Sequence, residues 1–363
     1  LVISTQNKQQ KSIQEKIIQQ ERDNMPDIVE EEEFDYYCED CGTGLEEDDT
    51  YTNDYSEYIR CDSCNRDYVR EYEAENDIES DDTLVHNYGH HPQPNFLSDD
   101  GTSSYYQPMQ SEGRPVLMMG IEEEVESRKG NLTSGAEHVL NTINRRGEDV
   151  VYLKEDGSIY NGFEIVSHPA TLGFFMNHFK WDGIKGLSKL GFESWNAKSC
   201  GLHIHMTRKA FANDKHLFKF LKFIYGNPTE LIQFAGRTST YAKFDVDTFL
   251  NSWNDYGERD SVRGSSFMKM AKHQTINDDR YCAVNLRNVQ TIELRFFRPS
   301  LKPETVQAAL QFCDAAFNYT EEITTPQVMT GNALAFKSFR SWVKTQTDRY
   351  QILDERITLR LGS

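Results

Sequence analysis

The sequence predicts an α+β protein preceded by a small four-cysteine module. Three observations carry this. Several segments alternate apolar and polar residues as strands do, and they neighbour one another instead of alternating strictly with helices. Between them lie segments with the 3.6-residue apolar spacing of helices. Of seven cysteines, four fall in two Cys-x-x-Cys pairs near the N-terminus. At 363 residues the chain has room for one large core and a smaller module.

Charge divides the chain. The formal balance is −19, yet residues 1–112 hold 29 Asp and Glu against 7 Lys and Arg, a balance of −22, and the rest carries +3. This acidity argues against nucleic acid as a general partner. No apolar run is long enough to span a bilayer, and the polar opening "LVISTQNKQQKS" lacks the apolar run of a signal peptide. A soluble, cytoplasmic chain is expected.

Taken in order, residues 1–33 form an acidic, Gln-rich arm ending in Glu30 to Glu33, too polar to pack and expected to be flexible. Residues 34–70 hold Cys38-x-x-Cys41 and Cys61-x-x-Cys64, nineteen residues apart. That spacing suits two knuckles turning four thiolates onto one structural zinc ion, with a β-hairpin between them. A redox dithiol is the alternative, and the presence of two pairs weighs against it. So small a module folds only with its metal, and its few basic residues point to protein docking. Residues 71–113, acidic and then rich in Pro, Tyr and Ser, read as a linker, with "HNYGHH" at 86–91 as a solvated loop.

The remainder, 114–363, alternates strands and helices. "PVLMMGIEEEVE" (115–126) is a strand. Residues 134–147 are a helix with a capping box from Ser134 and Glu137 and a stop at Gly147. "DVVYLKEDGSI" and "GFEIVSHP" are paired strands across a Gly-containing turn. A helix is expected over 172–190, then the strand "CGLHIHMTR" (200–208). A helix over 215–235, two strands in "YCAVNL" and "QTIELRFF", a helix opening at Pro303, and a final helix within 335–361 complete the order.

With a two-residue period, each strand has one polar face. Glu122, Glu124 and Glu126 share a face, opposite Met119, Ile121 and Val125. Glu164 lies opposite Phe163 and Ile165, and Asp156 sits at the turn upstream. His203, His205 and Thr207 oppose Leu202, Ile204 and Met206. Glu293 and Arg295 oppose Ile292, Leu294 and Phe296. Any one such strand could simply have a wet side. Four of them on one sheet would crowd carboxylates whose repulsion a cation must offset, and carboxylates with an occasional imidazole suit Mg²⁺ or Mn²⁺. No Gly-x-x-x-x-Gly-Lys loop occurs, so a bound nucleotide would rely on metals and on Arg237, Arg280 and Arg287. Cys200 beside His203 lacks an orienting acid and makes a poor nucleophile.

The ordered series "GIEEEVE", "KEDGSIYNGFEIVSHP", "CGLHIHMTR", "RTSTYAK" and "RYCAVNLRNVQTIELRFFRPS" resembles the amidoligase family, carboxylate–amine ligases related in fold to glutamine synthetase. The resemblance spans about 115–320. It implies a curved antiparallel sheet of glutamine synthetase-like type, with helices on its convex face and ATP with two Mg²⁺ ions on its concave one. It further implies that Glu122, His203 and Glu293 hold the metal on the ATP phosphates. Glu124, Glu164 and Asp156 would hold the other. Arg280 would contact phosphate, Arg295 would grip a substrate carboxylate, and His205 and Thr207 would border the nucleotide. The implied activity is ATP-dependent formation of an amide or isopeptide bond through an acyl phosphate, on small-molecule, peptide or protein carboxylates and amines, in a phage or bacterial setting. The alternatives are a non-catalytic protein docking partners through its zinc ribbon, or another metal-dependent phosphotransferase. Glu123 departs from the pattern, standing where an apolar residue is usual, which predicts a strand twisted or edge-exposed there. The zinc module lies outside the resemblance.

Overall fold

The computed structural model describes residues 36–38, 44–45, 51–53, 56–60, 64, 84–129, 131–159, 161–197, 200–244, 281–330 and 332–362. The N-terminal arm, Cys41, Cys61 and Arg280 lie outside them. The chain divides into two units, Leu1–Arg70 and Glu71–Ser363.

In the first unit β1 (Tyr36–Tyr37) pairs antiparallel with β2 (Gly44–Leu45), and β3 (Tyr51–Asn53) pairs antiparallel with β4 (Ser56–Arg60). The second pair is a hairpin between the two cysteine pairs, as the spacing predicts. Cys38 is buried and Cys64 half-buried, and neither forms a disulfide.

The second unit is a mixed α+β body. Its strands are β5 (Phe96–Leu97), β6 (Ser103–Ser104), β7 (Met119–Ser127), β8 (Val151–Lys154), β9 (Gly162–Ser167), β10 (Phe192–Glu193), β11 (Leu202–Thr207), β12 (Val284–Asn285) and β13 (Thr291–Phe297). Seven of them form one sheet in the order β12-β13-β11-β7-β9-β8, with β10 also on β7, and every pairing is antiparallel. Strand β7 is central. One edge pairs first with β11 and then with β10, the other with β9.

The helices are α1 (Leu132–Ile143), α2 (Leu172–Asn177), α3 (Asp182–Gly186), α4 (Asp214–Gly226), α5 (Pro228–Ala235), α6 (Pro303–Glu322), α7 (Thr325–Thr330), α8 (Phe336–Val343) and α9 (Thr347–Leu361). The apolar sheet face, with Met119, Ile121, Val125, Phe163, Ile165, Leu202, Ile204, Ile292 and Leu294 all buried, packs on helices including α1, α5 and α6. Each such side chain contributes roughly 1.5–3 kcal/mol by leaving water. The opposite face is left for polar chemistry.

Several elements differ from expectation for local reasons. Helix α1 starts earlier, because the Asn131 side chain, not Ser134, caps it by accepting the Ser134 N–H at 3.2 Å. It ends at Ile143, and a short 3-10 turn carries the chain to Gly147. The single helix expected over 172–190 is broken. Helix α2 stops at His178, the Trp181 indole donates to the open Phe175 carbonyl at 2.8 Å, and Gly183 and Gly186 press on α1, where an added Cβ would strike Ile143 and His138. Pro228 splits the helix expected over 215–235, pushing Asn227 out of helical geometry. Two helices, α8 and α9, fill 335–361 where one was expected.

The expected linker is partly a built segment. His86 donates to the Leu153 carbonyl at 2.9 Å and accepts from Glu155 N–H at 2.8 Å, which lays it along β8, and Leu97 is 3 % exposed within the core. The histidine-rich stretch is packed as well: His86 and His90 stack at 3.7 Å, and His90 meets the Tyr152 ring edge-on. Glu123 is neither edge-exposed nor twisted out. It is wholly buried on the apolar side of the central strand, its Oε1 accepting from Ser194 Oγ and Ser300 N–H, both at 2.7 Å. Burial holds its carboxyl well above the usual range, which favours the neutral acid there.

Candidate metal centre

Pairing brings the polar residues of four strands together. Glu122 stands opposite His203, Glu124 opposite Glu164, and His205 opposite Glu293. The register between β11 and β13 shifts around His203, so Arg295 and Phe296 together oppose that one residue, as in a β-bulge.

His203 is the hub. Its Nδ1 lies 3.2 Å from Glu122 Oε2 and 3.4 Å from Glu293 Oε1, and its Nε2 lies 3.8 Å from Glu124 Oε1. Two groups result, Glu122–His203–Glu293 and Glu124–Glu164–His203, and within each the ligand atoms all lie within 4.8 Å of one another. Glu124, Glu164, His203 and Glu293 are buried and Glu122 half-buried. Both groups can hold a divalent cation.

The charge on these residues supports that fit. Burial pushes Glu164 well above the usual carboxylate range, and the negative charges of Glu122 and Glu124 push it further. Burial likewise raises Glu124, with Asp156 adding repulsion. Glu122 goes the other way. Burial would raise it, but the His205 and His203 imidazoles outweigh burial and hold it well below the usual range. His205, 3.0 Å from Glu122 Oε1, is pushed up to about 9: burial lowers it, and the Glu122 charge more than compensates. Carboxylates whose ionised forms burial and mutual repulsion disfavour are ligands whose charge a cation would offset.

The other expected residues fall around this core. Arg295 pairs with Glu293 through Nη1, and its buried Nε has no partner. Asp156 stays outside both groups. It accepts its own turn's Ser158 N–H at 2.6 Å and acts on Glu124 and Glu164 by charge alone. Thr207 lies at the far end of β11, its hydroxyl bridging the Met118 N–H and carbonyl, each at 3.2 Å. The Arg237 guanidinium donates to the Arg295 carbonyl at 2.9 Å. Arg287 lies in the β12–β13 loop, its N–H held by Asn285 Oδ1 at 3.0 Å.

Three contributors escape sequence reasoning. Asn285 Nδ2 donates to Glu293 Oε2 at 2.8 Å and orients that carboxylate. Gly201 N–H donates to Glu124 Oε2, and a Cβ there would stand 2.5 Å from Arg237 Nη1 and 2.8 Å from His203 Nε2. Lys154 is a buried ammonium opposite Glu164, 5.2 Å from the Tyr88 ring centre, and its charge lowers the Glu164 pKa. Asn285 and Lys154 are visible only once the register is known. Gly201 lies inside "CGLHIHMTR", but strand periodicity assigns it no role.

No protein-family model matches the chain, and no curated protein matches it significantly.

Proposed function

We propose that the second unit is an ATP-dependent carboxylate–amine ligase of the amidoligase kind. The observation that carries this reading is the convergence of Glu122, Glu124, Glu164, His203 and Glu293 into two cation-sized groups sharing one imidazole, with an incompletely satisfied Arg295 beside them. The motif series and its order support it further. Two Mg²⁺ or Mn²⁺ ions held there would neutralise phosphoryl oxygens during transfer. Glu122, His203 and Glu293 hold one, and Glu124 with Glu164 the other. Arg295, part-exposed beside Glu293, would grip a substrate carboxylate with its guanidinium, and Asn285 keeps Glu293 aligned.

In this reading the substrate carboxylate oxygen attacks the γ-phosphorus, and the bond to the ADP oxygen breaks. An amine nitrogen then attacks the activated carbonyl carbon, phosphate leaves with the bonding electron pair, and the amine's proton passes to solvent or to the departing phosphate. Cys38, Cys41, Cys61 and Cys64 hold a structural zinc in the first unit, which docks a protein partner. Among the described residues no helix is long and apolar enough to cross a membrane.

The test is ADP release in Mg²⁺ buffer against panels of carboxylates and amines, with product mass as a second readout. Glu124→Gln is expected to lower turnover by about 10²-fold or more while leaving the circular dichroism spectrum intact. Wild-type turnover in that variant counts against the assignment, as does a phosphorylated product with no amide.

A further inference from the structure

At the end of the sheet beyond Gly201, three arginines gather on one indole. The Arg298 guanidinium stacks over Trp195, 4.2 Å from the ring centre, and Arg356 lies 5.9 Å from the same ring. Arg360 completes the group: a Cβ on Gly236 would meet both Arg360 Nη2, at 2.9 Å, and Trp195 Cη2, at 3.3 Å. All four side chains are part-exposed.

Their hydrogen bonds go to neutral acceptors. Arg298 donates to the Trp195 and Gly236 carbonyls, Arg356 to Thr305 Oγ1 and Arg360 to the Gln233 carbonyl. Among the described residues none of the three arginines beside Trp195 forms an ion pair with a carboxylate, whereas Arg114, Arg128, Arg295 and Arg349 do. Burial, with Arg360 adding repulsion, holds Arg356 below the usual guanidinium range. Three like charges drawn together at a part-exposed surface are relieved by an anion, and guanidinium forks match carboxylates.

The group adjoins the metal centre. Arg298 is three residues beyond Arg295, on the order of 10 Å along an extended chain. Arg237, next to Gly236, reaches the Arg295 carbonyl and stands against Gly201 beside Glu124.

We propose that Trp195, Arg298, Arg356 and Arg360 bind a second carboxylate of the substrate, which makes that substrate an acidic peptide instead of a simple monocarboxylic acid. That this carboxylate belongs to a substrate rests on the ligase reading; the anion patch does not.

Hexaglutamate and hexaglutamine are the probes, with Trp fluorescence as the binding readout and Trp195→Phe to assign the signal. Arg298 also holds backbone, so the variants are Arg356→Gln, Arg360→Gln and the pair, each checked by thermal melting. Hexaglutamate is expected to bind in a salt-sensitive manner and hexaglutamine not to bind, with each variant weakening binding about tenfold. Unchanged affinity in a folded double variant overturns the patch. So does an oligothymidylate that binds as tightly as hexaglutamate.

Ligation separates the two readings. If hexaglutamate binds at the patch but no carboxylate yields ADP, the ligase reading falls and the patch stands as an acidic-peptide site. If hexaglutamate and a monocarboxylate both turn over, and the double variant leaves their kcat/KM ratio unchanged, the patch falls and the ligase stands.

Discussion

Around His203, acidic side chains from β7, β9 and β13 are held closer than their charges favour, and two expected outcomes follow from that crowding. Glu164 is raised by burial and by Glu122 and Glu124, so the folded state keeps a proton that the unfolded chain releases. A carboxyl with a raised folded pKa costs stability as pH climbs from its unfolded value toward its folded one. Glu164→Gln is therefore expected to raise the melting temperature of the metal-free protein at pH 8 by several degrees, at about 2–4 °C per kcal/mol. The gain should shrink toward pH 4, and divalent-ion binding should weaken. A variant that melts lower than wild type at pH 8 without metal contradicts this account of the crowding. Gly201→Ala is expected to act differently. Its methyl would displace Arg237 or His203, so calorimetry should show Mg²⁺ or Mn²⁺ affinity reduced by about tenfold or more with little change in melting temperature.

At the scale of elements, the contact between α4 and α6 carries a pH dependence independent of the metal centre. His216, on the first turn of α4, accepts the Ala212 N–H at Nδ1 (3.2 Å) and donates from Nε2 to the Phe317 carbonyl on α6 (2.9 Å). Only the neutral ring can do both, and burial pushes it down to about 4. A histidine lowered in the folded state leaves the unfolded chain binding more protons between the two pKa values. Stability is thus fully present above about pH 6.5 and is lost as pH falls toward 4, by up to about 3 kcal/mol. Urea unfolding at pH 7 and pH 5 should show this loss, and His216→Gln should flatten the difference. An equal slope in wild type and variant would assign the acid sensitivity to other groups. Elements of this kind were legible where one signal dominated: the strand alternations of β7, β9, β11 and β13 sit where the apolar pattern puts them. Helix breaks were less legible, because Gly183 and Gly186 answer to close packing against α1, and strand-like pairing of His86 and Leu97 depends on partners some seventy residues away.

For the whole molecule, the convergence of acidic and histidine side chains was legible for the same reason as the strands. Glu122, His203 and Glu293 had only to face one way on neighbouring strands, whereas Asp156 sits on a turn whose direction no periodicity specifies. Lys154 and Asn285 needed the register itself. On the proposed reading the two units would carry two separate metal dependences. A cation bound only by the folded second unit stabilises it by about 2.7 kcal/mol at 100 times its dissociation constant, or roughly 5–10 °C in a body of this size. On the proposed zinc reading, the first unit would depend on its four thiolates instead. Differential scanning calorimetry is expected to show one transition that rises with Mg²⁺ or Mn²⁺ and is insensitive to a zinc chelator, and the Glu122→Gln, Glu293→Gln double variant should lose part of that rise, the Glu124–Glu164 group remaining. Mass spectrometry under native conditions should show one zinc per chain, removed by the chelator and absent in Cys38→Ser. Because burial and neighbouring charge raise Glu124 and Glu164, and a bound cation would favour their ionised forms, Mg²⁺ binding should release protons as pH is lowered toward their titration range, seen as a binding enthalpy that varies with the buffer's ionisation enthalpy, and affinity should fall as pH is lowered. A melting temperature indifferent to Mg²⁺ and Mn²⁺, with no proton release, would mean that the two groups around His203 balance their charge internally through His205 and Lys154, and the ligase proposal would lose its foundation.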